Sequence, residues 1–200
     1  MKEASSLEAT ARMPRRRKTH YIAERPPFDC IALVLQGGGA LGAYQGGVYQ
    51  ALAEAGLHPD WVAGISIGAI NAALIAGNPP ERRVERLREF WELVTGHPAG
   101  NWVDSIAAAV MRGDRVRSTF GQIAATHALL NGAPDFFMPR WPNPWLHAPG
   151  TTEATSYYDT SPLRATLERL VDFDRINAPR QMRFSVGAVN VRTGNFAYFN

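Results

Sequence analysis

The sequence predicts a three-layer α/β/α domain with a mainly parallel sheet. A β-favouring apolar run, Cys30–Leu35, ends in the glycine-rich segment Gly37-Gly38-Gly39-Ala40-Leu41-Gly42. A second run, Trp61–Ile65, breaks at Ser66 into a stretch of small and apolar residues. One helical pattern lies between the two runs. Strand and helix therefore alternate, and that alternation builds parallel sheets with right-handed crossovers.

The first run is continuously apolar, the pattern of a strand buried on both faces, with Cys30 as a small core residue. Tyr44–Ala55 reads as a helix, with Val48, Leu52 and Ala55 at helical spacing and Gly56 as its C-terminal stop. Ile67–Ala76 reads as a small-residue helix closed by Gly77. Asn78-Pro79-Pro80 opens a third helix, Glu81–Thr95. Its apolar face is Val84, Leu87, Trp91 and Val94, and its solvated face Arg82, Arg83, Glu85, Arg86 and Glu89. Two further helical patterns follow, Trp102–Met111 and Val116–Leu130. Residues 132 to 156 are proline-rich and carry Trp141 and Trp145, the composition of a lid, a binding loop or a packed loop. A helix over Leu163–Val171 starts at Ser161-Pro162, and two strands, Met182–Val191 and Phe196–Phe199, flank a turn at Arg192-Thr193-Gly194-Asn195. Ending within a strand suggests the front part of a longer protein.

The chain has 200 residues, 46% of them hydrophobic, enough for one core and one domain. Its net charge of +3 is confined to residues 1 to 29, which hold seven basic and four acidic residues. Residues 1 to 28 read as a basic, solvated tail ahead of a domain over 29 to 200, and a short basic run is most simply a solvated terminus. Such a tail also suits anionic lipid or nucleic acid, and with no run long enough to span a membrane, any membrane contact is peripheral. The tail lacks the apolar stretch of a signal peptide, and no run approaches the ~18 residues of a membrane span. A single cysteine fits a reducing, cytoplasmic compartment. No ligand cluster of metal-binding spacing is visible, and no cofactor or nucleic-acid partner is expected.

The chemistry lies in Gly64-Ile65-Ser66-Ile67-Gly68. A serine hydroxyl reacts only when held exposed, and a sharp strand-to-helix turn with glycine two residues to either side exposes it. The helix starting at Ile67 aims its free N–H groups and positive dipole end at the same place. Gly37-x-Gly39-x-x-Gly42 also fits a dinucleotide fingerprint. A nucleotide site needs an acid at the end of the second strand, about 20 residues on, and the chain has Ser66 there; Asp60 lies at the strand's other end. The glycines are better read as backbone donors to an oxyanion, with Gly37, Gly38, Gly39, Gly42 and Ile67 as the candidates.

These two segments together resemble the patatin-like phospholipase family, which joins a glycine-rich oxyanion segment to a Gly-x-Ser-x-Gly turn. The match is strong over Ile31–Ala76 and weaker at Tyr158–Leu163 and the closing hairpin. The resemblance implies a patatin-like fold and a Ser-Asp dyad that cleaves lipid acyl esters, with Ser66 as nucleophile and Gly64 and Gly68 framing it. The sequence departs from the family twice. Leu41 stands where the family usually has a basic residue, leaving the oxyanion site to backbone donors. No Asp-Gly-Gly or Asp-Gly-Ala segment occurs, and Asp104, Asp114, Asp135, Asp159, Asp172 and Asp174 all lack that context. The short spacing from Gly39 to Ser66 argues against an ordinary triad built with His58, His97, His127 or His147. Two other readings stay open: an inactive interaction module of the same fold, and a nucleotide-binding α/β domain.

Overall fold

The computed structural model describes residues 25–96, 126, 128–133, 135–179 and 181–200. The basic tail up to residue 24, the patterns over Trp102–Met111 and most of Val116–Leu130, and His97, Asp104, Asp114 and His127 lie outside the described residues.

A four-stranded sheet has the order β1 (Ala32–Leu35), β2 (Trp61–Ile65), β5 (Arg183–Val189) and β6 (Phe196–Phe199). The first three are parallel and β6 closes the sheet antiparallel. In register, Leu35 lies opposite Gly64, and Gly64 opposite Val186. This mixed, mostly parallel sheet with packed helices is the α/β architecture expected. A small second sheet pairs β3 (Met138–Pro139) with β4 (Tyr158–Asp159). The described helices include α1 (Gly42–Glu54), α2 (Ile67–Ala76), α3 (Arg83–Thr95), the single turn α4 (Thr152–Thr155), α5 (Ser161–Leu170) and α6 (Phe173–Asn177).

Helix α2 is apolar almost all round, the pattern of a helix enclosed by protein. It lies directly on the sheet, with α1 and α3 packed over it. Ala72, Leu74, Ile75 and Ala76 are buried, together with Tyr49, Val62, Phe90 and Leu170 from the elements around them. The C-terminal end of α2 is tied down by Asn78, whose amide donates to the Leu74 carbonyl at 2.9 Å and the Leu170 carbonyl at 2.8 Å. These bonds satisfy an orphan helix-end carbonyl and join α2 to α5.

Three expectations fail here. The first strand is not buried on both faces: Val34 is 70% exposed, and the described side chains Ile65, Val189, Phe196 and Tyr198 on the same side of the sheet are exposed with it. The helices α1 to α3 cover only the other side, because β1-α1-β2 and β2-α2 step across the sheet in one direction and a right-handed crossover then uses one face. Cys30 precedes the strand and is exposed. Arg83 belongs to the core and not to the wet face of α3. It is 4% exposed, its Nε donates to the Asn78 carbonyl at 2.9 Å, and a guanidinium N–H donates to the Tyr49 hydroxyl at 3.3 Å. Burial pushes the Tyr49 hydroxyl above its ordinary pKa despite that cation.

Just ahead of β2, Asp60 accepts from the Ile31 amide, ahead of β1, at 2.8 Å and pairs with Arg25. The Arg25 hydrogen bond first, then the Ile31 amide, hold the Asp60 carboxyl below the usual range. A carboxyl with a depressed folded-state pKa stabilises the fold above its unfolded value, about 3.9, and stops doing so as pH falls through the folded value. Urea midpoints of the parent and Asp60→Asn are therefore expected to differ at pH 6 and to draw together as pH falls from about 3.9 through the lower folded-state value; a difference unchanged by pH would contradict this role.

Candidate active site

Strand β2 and helix α2 meet in a single residue. Ser66 has φ 56° and ψ −128°, a left-handed conformation that costs a non-glycine residue about 1–3 kcal/mol. Packing on either side holds it there. A Cβ placed on Gly64 would fall 2.2 Å from the Gly68 carbonyl oxygen, and one on Gly68 would fall 2.2 Å from the Leu35 carbonyl oxygen. Only glycine at both positions lets the first turn of α2 lie against the ends of β1 and β2. The carbonyl of Ser66 accepts from Ala69 N at 2.9 Å and Ile70 N at 3.3 Å, so the helix begins at once. Ser66 itself is exposed, and among the described residues nothing hydrogen-bonds its hydroxyl.

The glycine loop lies beside this turn because β1 and β2 are adjacent and parallel. A Cβ on Gly37 would sit 3.2 Å from Ser66 Cβ and 3.8 Å from Ser66 Oγ. Gly38 and Gly39 have φ 146° and 56°, and Gly39–Leu41 forms one 3-10 turn leading into α1. The structure therefore brings Gly37 beside Ser66, with Gly38 and Gly39 next along the same loop and Ile67 next to Ser66 in the chain. Gly42 is placed differently. It is buried, and a Cβ there would collide with Ile67 Cγ1 at 2.5 Å and Trp91 Cζ2 at 2.7 Å, so its smallness lets α1 start against α2. Leu41 and Tyr44 are 73% and 77% exposed on the same loop and the first turn of α1, an uncharged rim.

Asp159, Asp172 and His147 are engaged elsewhere. Asp159 accepts from the Ser161 amide at 3.0 Å and the Ser161 hydroxyl at 2.8 Å, which lowers its pKa and makes it, rather than Ser161, the side chain serving the start of α5. Asp172 accepts from Arg175 N at 2.9 Å as the N-cap of α6. His147 contacts the Pro142 carbonyl at 3.1 Å. Among the described residues no cluster of His, Cys, Asp or Glu could hold a metal ion, and no helix is long and apolar enough to cross a membrane.

Sequence reasoning passed over Gln45, Asn71 and Trp91, which hydrogen-bond one another behind the glycine loop. The available signal was Asn71, the one polar residue within Ala69–Ala76.

An exposed hydroxyl on a strained turn, at a helix N-terminus and beside a loop rich in unhindered N–H groups, has the layout of an acyl-transfer site. The packing fixes how each glycine responds to substitution. Gly64→Ala and Gly68→Ala are expected to destabilise the fold by more than about 4 kcal/mol, since backbone must move. Gly47, inside α1 with open space around it, is expected to gain about 0.5–1 kcal/mol as alanine. Urea unfolding of the three variants checks both signs.

A family model described as patatin-like phospholipase matches residues 33–200. Lysophospholipase nte1 of Aspergillus terreus is 46% identical over 67 residues, 34% of this chain and 4% of that protein. Patatin-like phospholipase domain-containing protein 7 of Rattus norvegicus is 48% identical over 60 residues, 30% of this chain and 4% of that protein. An uncharacterized NTE family protein of Mycobacterium bovis is 38% identical over 96 residues, 48% of this chain and 16% of that protein. The aligned part of this chain thus spans only 4% to 16% of the length of these relatives. No solved structure matches the chain. Because the family match runs from within β1 to Asn200, well over half of the chain, the protein belongs to the patatin-like phospholipase family.

Proposed function

We propose that the chain carries the nucleophile and oxyanion site of a serine lipid acyl hydrolase. The observation that carries this reading is the left-handed Ser66 turn, with Gly37 close beside its hydroxyl. Ser66 Oγ attacks the ester carbonyl carbon. The carbonyl oxygen gains the negative charge and is held by N–H groups of Gly38, Gly39 and Ile67, helped by the positive end of α2. The tetrahedral intermediate expels the alcohol, leaving an acyl-enzyme that water cleaves. The apolar rim of Leu41 and Tyr44 suits an acyl chain and offers no charge to an anionic head group. A lysophospholipid, the substrate class in the name of one relative, has a single acyl chain for that rim, and a lipid substrate brings the protein to a membrane surface peripherally.

The base that takes the Ser66 proton is assigned to none of the described residues. That same observation favours a second reading, an interaction module that keeps the fold without hydrolysis. The nucleotide reading has less support, since β2 ends at Ser66 and Asp60 is occupied by Arg25 and Ile31.

Fluorophosphonate labelling with peptide mapping separates these readings. Ser66 is expected to be modified ahead of every other serine, and Ser66→Ala to remain unmodified. Labelling that rises with pH and with added acetate places the base outside the chain, whereas fast labelling at neutral pH places it inside. A folded chain unmodified at Ser66 would overturn the hydrolase reading in favour of the interaction module.

A further inference from the structure

We infer that Asn71, acting with Gln45 and Trp91, is a positioning residue that sets the glycine loop against Ser66. The inference rests on the acyl-transfer reading of the site. Asn71 is fully buried in α2, one turn beyond Ile67 and on the same helical face. Its amide donates to the Gly42 carbonyl at 2.9 Å and to Gln45 Oε1 at 3.0 Å, while its oxygen accepts from the Trp91 indole N–H at 3.1 Å. Gln45 in turn donates from Nε2 to the Gln36 carbonyl at 2.7 Å.

The orientation of this chain of bonds is not arbitrary. An indole nitrogen only donates, so Asn71 Oδ1 must face Trp91 and Nδ2 must face the loop. Gln45 then presents its oxygen to Asn71 and its nitrogen to Gln36. The two carbonyls reached are those of Gln36, immediately before the triple glycine, and Gly42, immediately after the 3-10 turn. Both ends of the segment Gly37–Leu41 are therefore fastened to α2, the helix that begins at Ser66. The loop between has three glycines and little side-chain packing of its own. Without the two clamps the amides between its anchored ends are held less firmly relative to the hydroxyl, and preorganisation of those donors is where electrostatic stabilisation of an oxyanion comes from.

A thiol in place of the hydroxyl tests this without the unassigned base, because a cysteine ionises at moderately alkaline pH by itself. In the full chain, Cys30→Ser with Ser66→Cys leaves one thiol. Two reactions of that thiol are compared at pH 8.5. With p-nitrophenyl butyrate the thiolate adds to the carbonyl carbon, charge develops on oxygen, the C–O bond breaks, and p-nitrophenolate leaves a thioester. With iodoacetamide the thiolate displaces iodide from carbon and no oxyanion forms. Asn71→Ala and Asn71→Asp are expected to slow acylation by about 10- to 100-fold, part of the about 100- to 1,000-fold that loss of one oxyanion donor costs, with alkylation changed by less than ~2-fold. Gln45→Met, which releases the Gln36 clamp and one acceptor of the Asn71 amide but leaves the Asn71 bonds to Gly42 and Trp91, is expected to show the same split to a smaller extent and guards against a folding defect in the Asn71 variants. Equal changes in both reactions, or none, in a chain whose introduced thiol is acylated faster than glutathione would overturn the positioning role alone. Acylation of the introduced thiol no faster than that of glutathione would overturn the acyl-transfer reading and this inference with it.

Discussion

The first turn of α2 touches the ends of β1 and β2 through backbone alone, and the site depends on that contact. Where Gly68 meets the Leu35 and Gln36 carbonyls and Gly64 meets Gly68, no side-chain atom fits. Such closeness forces a helix to begin within one residue of a strand, and Ser66 is the residue that absorbs the turn, at a backbone geometry it would not adopt alone. The same contact fixes the distance between the glycine loop after β1 and the hydroxyl after β2. The proposed nucleophile and the proposed oxyanion donors are thus parts of one packing arrangement and not two motifs that happen to meet.

Holding a strained turn requires a rigid helix behind it. Helix α2 supplies this by being enclosed: sheet on one side, α1 and α3 on the other, with Asn71 bonded near its start and Asn78 bonded just past its end. Arg83 extends the lower tie to Tyr49, so all three helices of the layer are joined through polar groups that find partners inside the core. Buried polar groups satisfied in this way favour one arrangement over others, because any shift leaves a donor or acceptor unpaired.

Much of this was legible in the sequence because glycine spacing and apolar runs act locally. Helix α2 and strand β2 fall on Ile67–Ala76 and Trp61–Ile65 as read, since a Gly-x-Ser-x-Gly between an apolar run and a small-residue run admits few other folds. Helix α1 starts two residues earlier than its periodicity suggests, at Gly42, because the 3-10 turn over Gly39–Leu41 feeds straight into it. What escaped depends on partners distant in the chain. Arg83 looks like one more charge on an amphipathic helix until Tyr49 and Asn78 are seen around it. Cys30 and Val34 belong to a run too short and too apolar to show which face is covered. The short helix at Phe173–Asn177 has no apolar period to announce it, and Gln45, Asn71 and Trp91 become a unit only once α1, α2 and α3 pack together.

The most direct measurement is a crystal structure of the chain after reaction with a phosphonofluoridate. If Ser66 and the glycine loop form one acyl-transfer unit, phosphorus is bonded to Ser66 Oγ and its oxygen lies about 2.7–3.1 Å from backbone nitrogens of the glycine loop and Ile67. A phosphonyl oxygen turned away into solvent, or a Ser66 backbone relaxed out of the left-handed region, would contradict it.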